Sequence, residues 1–211
     1  MGVKQEFIQI FQDNIKRPGA EALLQWLVST DFFIAPASTK YHCAFEGGLA
    51  LHSLNVYKIL KRRCNEYSPG KYSDETIAIC GLLHDICKAN FYSISTRNVK
   101  NERGQWEQRP YYTVEDKFPF GHGEKSVFIV ERCMRLMEEE AVAIRWHMGG
   151  FDESARAGGF TISHAYEQYP LAVLLHLSDL EATYLAEQGQ NALHHGMVNN
   201  ILTQILHYIL K

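Results

Sequence analysis

The chain has 211 residues, of which 46% are hydrophobic and 21% are charged. With only 15 glycines and 6 prolines, this composition excludes disordered, collagen-like and low-complexity chains. The 21 basic and 24 acidic residues give a formal net charge of −3, so no strong overall field attracts nucleic acid or an anionic membrane. We therefore expect one globular domain over residues 1–211 and no strong nucleic-acid binding.

The cysteines and the N-terminal segment bear on the cellular compartment. The five cysteines are odd in number and contain no C-x-x-C pair, a pattern typical of buried thiols in a reducing compartment. Residues 1–16 mix charged and apolar residues at helical spacing, without the apolar core of a signal peptide. Apolar stretches fall short of the roughly 20 residues that a membrane span needs. The sequence predicts a cytoplasmic protein without a membrane segment, and it leaves the oligomeric state open.

Helical periodicity dominates the first 90 residues. Apolar residues repeat on one face over 3–16 and again over 20–29, which predicts a helical hairpin around a Pro-Gly break. After a loop, the Gly47-Gly48 pair opens a helix that is predicted to run to about residue 64. Ser73 and Asp74 provide a capping signal for the segment TIAICGLLHDICK, whose apolar residues lie almost all round. This segment is predicted to be a central, buried helix.

The pattern changes in the middle of the chain and then becomes helical again. YSISTRNV and QRPYYTV are rich in β-branched and aromatic residues and flank the turn-like KNERGQ, which predicts a β-hairpin insertion over about 91–116. Helices are predicted over 122–137 and 138–147, followed by a glycine-containing loop over 149–159. Two further helices are predicted over 165–188 and 191–210, the last with His194 and His195 on its surface. The predicted fold is all-α, a bundle of seven or eight helices with one small hairpin.

Several ligand-type side chains lie on helical faces that are otherwise apolar. His52 continues a stripe of leucine, valine and isoleucine residues, and Asp179 continues a stripe of alanine and leucine. His84 and Asp85 lie at the end of the predicted central helix. A single histidine on such a face is more often a core residue, but an ionised carboxylate that is buried without a partner costs several kcal/mol. Together, these positions on three helices favour a metal site over a coincidence.

The order of these residues resembles that of the HD-domain metal-dependent phosphohydrolases. The resemblance rests on His52, the doublet His84-Asp85 and Asp179, in the contexts GGLALHSLNV, LLHDICK and HLSDL. It also includes GHGEKS after the hairpin and spans about residues 40–185. The resemblance implies a helical bundle, which agrees with the periodicity, and it implies metal-dependent hydrolysis of a phosphate ester.

The resemblance also implies a set of metal ligands. A divalent transition metal (Mn, Fe, Ni, Co or Zn) is expected on two imidazoles and two carboxylates, namely His52, His84, Asp85 and Asp179. Some branches of the family hold two ions, and His122 and His147 stand at the matching points of this chain. These two histidines are ligands of a second metal, direct phosphate contacts or helix-end caps. The branch that hydrolyses cyclic dinucleotides has a histidine pair where this chain has His147 and Met148, which argues against that substrate.

Four further residues are candidates for substrate binding. Lys88 is one helical turn beyond His84 in the predicted helix, where it either reaches a phosphate or is a solvated lysine at a helix end. His42, in the loop YHCAFEGG, is a candidate for the mouth of the site. Arg97 and Arg109 on the hairpin either clamp substrate anions or form a solvated strand edge. Catalytic roles are assigned to Asp85, Lys88 and His122.

The resulting hypothesis is a metal-dependent phosphohydrolase acting on a phosphomonoester or phosphodiester, with a nucleotide or short oligonucleotide as substrate. The metal polarises the phosphoryl oxygen and lowers the pKa of a bound water. Lys88 and His122 offset charge on the phosphate. The same order of four histidines and two aspartates also resembles HD-fold di-iron oxygenases, which act on a polyol or a phosphonate, so this remains the alternative. A binding module with a degenerate metal site is a third reading.

Overall fold

The computed structural model describes residues 1–188. Within this range there are nine α-helices: α1 Val3–Asn14, α2 Ala20–Ser29, α3 Gly48–Tyr67, α4 Asp74–Leu83, α5 His122–Glu131, α6 Glu138–Trp146, α7 Glu153–Arg156, α8 Thr161–Gln168 and α9 Pro170–Glu181. The two strands are β1 Tyr92–Lys100 and β2 Trp106–Val114. Two 3₁₀ turns, Ile86–Lys88 and Gly149–Phe151, and a π-helical turn, Ala182–Ala186, complete the regular structure of the described residues.

The mostly helical fold with one two-stranded sheet agrees with the prediction, but the described residues contain more than seven or eight helices. One reason is α7, a four-residue helix inside the predicted loop, where the Asp152 side chain accepts hydrogen bonds from the first backbone N–H groups. The other is the segment predicted as a single helix over 165–188. Pro170 takes the first helical position of α9 and has no N–H to continue α8, so the segment divides there.

Helix α4 is central and buried, as its composition predicts. All residues from Thr76 to Leu83 are buried. Helix α4 packs against α3, and α3 packs in turn against α9. Gly81 makes the close approach of α3 and α4 possible, because a Cβ at this position would lie 2.5 Å from the Tyr57 Cα. Helix α6 packs against α9 and α5, so these five helices surround one interior region.

The N-terminal helical hairpin shares the core of these helices. Phe7 and Phe11 on α1 and Leu23 and Leu27 on α2 are buried in the same apolar cluster as the residues of α3 and α4. The ring of Phe7 lies edge-on to that of Phe32, with centroids 5.2 Å apart. Helix α1 therefore covers α3 and α4 from outside.

The hairpin pairs β1 and β2 antiparallel, in register from Tyr92 opposite Val114 to Lys100 opposite Trp106. It lies within the predicted range 91–116. Its turn is closed by Asn101, whose side-chain oxygen accepts hydrogen bonds from two backbone N–H groups of the turn. The hairpin is attached to the helices at its Tyr92 end, where the Tyr92 hydroxyl donates to the backbone of residue 37.

Three further predictions concern membrane spans, disulfides and the last predicted helix. Among residues 1–188, no helix combines the length and the apolar character that a membrane span requires. None of the five cysteines, all of which lie in this range, forms a disulfide. The helix predicted over 191–210, with His194 and His195, lies outside the described residues.

Candidate metal centre

All six residues that the sequence predicts as metal ligands lie together inside the helical bundle. They come from five helices or helix ends: His52 on α3, His84 and Asp85 at the end of α4, His122 at the start of α5, His147 at the end of α6 and Asp179 on α9. Three of the histidines are fully buried, while the side chains of Asp179 and His122 keep 16% and 27% of their exposure. His122 thus lies at the boundary between the cluster and solvent.

Asp85 lies at the centre of the cluster, and its two carboxylate oxygens face different neighbours. Oδ1 is 2.7 Å from Nε2 of His122 and 3.4 Å from Nε2 of His147. Oδ2 accepts a 2.7 Å hydrogen bond from the Lys88 ammonium and lies 3.7 Å from Nε2 of His52. One carboxylate therefore joins two groups of ligand-type side chains.

The three fully buried imidazoles are anchored through Nδ1 and aim Nε2 at the interior. Because a carbonyl or carboxylate oxygen can only accept, each anchored Nδ1 carries a proton and Nε2 is the ring atom that faces the cluster. The anchors are the Gly81 carbonyl for His84 at 3.0 Å, the Ile144 carbonyl for His147 at 2.6 Å, and the Glu187 carboxylate for His52 at 3.0 and 3.2 Å. This arrangement is typical of histidines that bind a metal through Nε2.

The Nε2 atoms and carboxylates face one another at short distances. Nε2 of His52 lies 3.4 Å from Nε2 of His84 and 3.1 Å from Oδ1 of Asp179. Nε2 of His147 is buried and forms no hydrogen bond within residues 1–188. A buried acceptor without a donor costs about 1–3 kcal/mol. A divalent cation inside the cluster would satisfy this nitrogen, because neutral imidazole nitrogens are metal ligands.

The pKa shifts point to the same requirement. Burial lowers the pKa of His52, but the carboxylates of Glu187 and Asp179 outweigh it and raise the pKa to about 10. Burial favours the neutral form of Asp85, but the Lys88 ammonium, together with the neighbouring histidines, holds its pKa well below its usual range. Burial lowers the pKa of His84 to about 3. The cluster keeps its carboxylates ionised and draws positive charge towards them.

The donor set fits a divalent transition metal. Three groups of the cluster each place their ligand atoms within 4.8 Å of one another, namely His52–His84–Asp85, His84–His147–Asp179 and Asp85–Cys87–His122. Imidazole nitrogens and carboxylate oxygens suit Mn, Fe, Co, Ni and Zn. The unpaired Nε2 of His147 is a donor that such an ion would use.

Glu187 is a residue that the sequence analysis missed. The residue is 2% exposed, and its carboxylate accepts from His52 Nδ1 and from Asn55 Nδ2, the latter at 2.9 Å. The π-helical turn Ala182–Ala186 adds one residue to the helical turn, so Glu187 returns to the face that Asp179 occupies about two turns earlier. In a regular α-helix of 3.6 residues per turn, a spacing of eight residues overshoots two full turns, so the spacing from Asp179 alone does not predict that Glu187 reaches this face.

Lys88 is placed differently from the prediction. Helix α4 ends at Leu83 and the 3₁₀ turn Ile86–Lys88 follows, whereas one continuous helix through Lys88 was expected. In a 3₁₀ turn, residues three apart eclipse each other, so Lys88 meets Asp85 instead of following the face of His84. Its ammonium bonds Asp85 Oδ2 at 2.7 Å and the Ala37 carbonyl at 2.8 Å.

The other candidates for substrate binding have separate locations. The ring of His42 lies against that of His52, with centroids 4.7 Å apart, and its Nε2 is buried with no hydrogen-bond partner in the described part of the chain. Arg97 and Arg109 are exposed and face each other across the hairpin, outside the cluster. Arg97 lines a cavity of about 380 Å³ beside the hairpin. Another cavity, of about 340 Å³, is lined by His122.

The comparisons with known proteins give one match. The family model of the HD domain matches residues 49–186, a range that contains all six residues of the cluster. No curated protein and no solved structure gives a significant match to the chain. HD domains bind divalent metals and are generally phosphohydrolases that act on small phosphate esters. The order of the motif, the helical fold and this match agree, and the chain belongs to the HD domain family of metal-dependent hydrolases.

Proposed function

We propose that this chain is a phosphohydrolase that cleaves a phosphomonoester or phosphodiester, with a nucleotide or short oligonucleotide as its substrate class. The observation behind the proposal is the shared orientation of three buried imidazoles. Their Nδ1 atoms are hydrogen-bonded to the protein, and their Nε2 atoms face Asp85 and Asp179. Most buried polar atoms of a protein core have a hydrogen-bond partner, which includes both ring nitrogens of a buried histidine. Here, one Nε2 has no hydrogen bond within residues 1–188, and two others face each other.

The carboxylate of Asp85 supports a site with two ions. We infer that His52, His84 and Asp179 would hold one ion together with Asp85. His122 and His147 would hold the second, also together with Asp85. The division follows the contacts of the carboxylate, because each oxygen already faces one of the two groups. His147 also shares a group of ligand atoms with His84 and Asp179, so its Nε2 lies between the two positions.

A divalent ion held here supplies Lewis-acid chemistry, which polarises a phosphoryl oxygen and acidifies water. The residues of the chain position the other participants. Lys88 fixes the orientation of Asp85 and keeps a positive charge beside the carboxylate, where it offsets charge that develops on a phosphate. His122 lies at the wall of the adjacent cavity, from which a phosphate reaches it directly.

The cavity beside His122 supports a nucleotide as substrate. Its volume of about 340 Å³ is within the range of small-molecule sites. Phe91 and Phe151 line it and offer an aromatic face for a base. Lys125 lines it together with the carboxylates of Asp116, Glu124, Asp152 and Glu153, so bound metal ions would have to offset most of the charge of a phosphate. The Lys125 ammonium is bonded to Asp116, which holds it at the cavity wall.

Metal analysis followed by an activity screen tests this function. We expect close to two divalent ions per chain, and hydrolysis of nucleotides or other phosphate esters once the preferred metal is restored. Asp85→Asn should abolish metal binding and hydrolysis together, because it removes the carboxylate shared by both ions. Asp13→Asn, on the exposed face of α1, is the matched control and should change neither. Full metal occupancy in the Asp85 variant would contradict the assignment.

Variants of His122 and His147 separate the two roles proposed for them. If they bind the second ion, His122→Ala and His147→Ala each lose one metal equivalent, while the ion on His52 and His84 stays. If they contact phosphate, the metal content is unchanged and the loss appears in kcat or KM. The oxygenase alternative requires two irons and consumption of dioxygen. Hydrolysis without oxygen, supported by a redox-inert ion, excludes that alternative.

A further inference from the structure

Cys87 lies against His122 and belongs to none of the roles assigned so far. It is part of the 3₁₀ turn Ile86–Lys88, which packs against α5, and its backbone N–H donates to Ser126 Oγ at 3.3 Å. The side chain is turned towards the histidine, with Sγ 3.4 Å from Nδ1 and 3.8 Å from Nε2 of His122. Cys87 is 3% exposed and also lines the cavity beside His122.

These distances suit two ligands of one ion. A tetrahedral ion with a metal–sulfur bond of about 2.3 Å and a metal–nitrogen bond of about 2.0–2.1 Å separates the sulfur and nitrogen by about 3.6 Å. The two distances from Cys87 Sγ to the ring nitrogens of His122 lie on either side of this value. The ligand atoms of Asp85, Cys87 and His122 all lie within 4.8 Å of one another.

An independent observation marks the same position as incomplete. His147 is fully buried, and its Nε2 has no hydrogen-bond partner among residues 1–188. This nitrogen lies 3.4 Å from Asp85 Oδ1, the same oxygen that His122 approaches at 2.7 Å. The ligand atoms of Asp85, Cys87 and His122 share one region, and His147 Nε2 adjoins it through its contact with the same Asp85 oxygen. With His147 drawn in, an ion there would have four ligands, the usual number for a tetrahedral ion.

We propose that the thiolate of Cys87 is a ligand of the ion held by Asp85, His122 and His147, and that it makes this position selective for thiophilic divalent ions. The inference rests on the two-ion site proposed above. A sulfur ligand favours Zn²⁺ and Cd²⁺ over Mn²⁺ and Mg²⁺, whereas the position of His52 and His84 has only nitrogen and oxygen donors. Binding exchanges the thiol proton for the metal–sulfur bond, so one proton is released from Cys87 for each ion bound.

X-ray absorption on the unaltered protein tests the bond directly. In the zinc-loaded chain with two ions bound, we expect one zinc–sulfur bond of about 2.3 Å for every two zinc ions. The averaged spectrum then shows half a sulfur neighbour per ion. Cobalt-loaded protein should also show a thiolate-to-metal charge-transfer band in the near ultraviolet. Because the first measurement uses the unaltered chain, it does not depend on whether a Cys87 variant folds.

Cysteine variants then assign the sulfur. Cys87→Ser should lose the charge-transfer band and weaken Cd²⁺ binding at one position by about 10- to 100-fold, with a much smaller change for Mn²⁺. Cys133→Ser, at a partly buried cysteine just beyond α5, is the matched control and should keep both properties. A zinc site with nitrogen and oxygen neighbours only, or an unchanged band in Cys87→Ser, overturns the role of Cys87 and leaves the proposed function standing. A protein that binds no divalent ion overturns both.

Discussion

The carboxylate of Glu187 fixes the ring of His52 from outside the cluster. It accepts from Nδ1 of His52 at 3.0 and 3.2 Å and is itself held by Asn55 at 2.9 Å. A carboxylate behind a metal-binding imidazole sets its tautomer and orientation and raises its basicity. Glu187 is therefore expected to be a positioning residue that acts through His52.

Replacing this carboxylate should weaken one metal position and spare the other. We expect Glu187→Gln to lower the affinity of the ion on His52 by about 10- to 100-fold, because an uncharged amide supports the imidazole less strongly. The ion on His147 should keep its affinity, since its imidazole is anchored by a backbone carbonyl. Titration against a competing chelator measures both positions, with exposed Glu21→Gln as the control. Equal weakening at both positions would indicate a general loss of structure instead.

Between elements, a glycine sets the distance between the helices that carry His122 and His147. Gly123 follows His122 on α5, and a Cβ there would lie 2.1 Å from the backbone oxygen of Arg145 on α6. Because a backbone oxygen cannot move aside as a flexible side chain can, a larger residue must separate the two helices. The close approach of α5 and α6 therefore depends on the missing side chain.

A methyl group at Gly123 should disturb both stability and metal binding. We expect Gly123→Ala to lower the free energy of unfolding by about 1–3 kcal/mol, because overpacking forces the backbone to shift. The same shift moves His122 away from His147, so the second ion should be lost first. Denaturant unfolding and metal analysis measure the two effects. Gly150→Ala places its methyl in open space and should leave both unchanged; an equal effect of the two variants would contradict this account.

Across the fold, Arg17 joins the N-terminal hairpin to the helices that carry the site. Its guanidinium lies 2.7 Å from the buried carboxylate of Glu140 on α6 and 3.3 Å from that of Glu75 on α4. Glu75 also accepts from the backbone N–H groups of Lys16 and Arg17, at 2.7 and 3.0 Å. The N-terminal helices, which precede the range matched by the family model, are thus joined by ionic contacts to α4 and α6.

This connection predicts a dependence of stability on pH. Burial alone would raise the pKa of Glu75. Hydrogen bonds from the backbone N–H groups of Lys16 and Arg17 and from the Arg17 guanidinium outweigh this effect, so the pKa lies below its ordinary value of 4.5. A carboxylate whose pKa is lower in the folded state stabilises the fold above the unfolded pKa and loses this effect as the pH falls through the folded pKa. Glu75→Gln should therefore cost about 1 kcal/mol at pH 7. The difference from the unaltered chain should shrink below about pH 4.

Urea unfolding of the two proteins at several pH values measures this difference. Glu21→Gln, at an exposed position of α2, is the control and should show no comparable change with pH. A difference for Glu75→Gln that is constant from neutral to acidic pH would contradict the role assigned to the carboxylate charge.

Removal of the metal should destabilise the entire bundle, because five helices or helix ends contribute to the cluster. An ion present at 100 times its dissociation constant stabilises the folded state by about 2.7 kcal/mol. For a chain of this size, that corresponds to a Tm lower by roughly 5–10 °C after the metal is stripped. Thermal unfolding before and after chelation, with the metal content verified, measures the shift. An unchanged melting curve would mean that the histidines are ordinary core residues.

Local patterns in the sequence are sufficient to predict a mostly helical chain, the hairpin and the inward faces that carry His52 and Asp179. Apolar periodicity records which face of a helix is buried, so an unusual residue on that face, such as His52, can be recognised without the fold. The order of His52, His84-Asp85 and Asp179 along the chain then carries the resemblance to a family, and His122 and His147 follow from that resemblance. The division of the 165–188 segment at Pro170 was also readable in principle, since proline has no N–H to donate.

The roles around the cluster depend on contacts between distant parts of the chain, which local patterns do not contain. Glu187 reaches His52 across 135 positions, through a π-helical turn, and Cys87 reaches His122 across 35. Lys88 turns to Asp85 because α4 ends one residue before the doublet and a 3₁₀ turn follows it. In each case, helix packing and the ends of the helices set the direction of the side chain, and the sequence specifies these only through the complete fold.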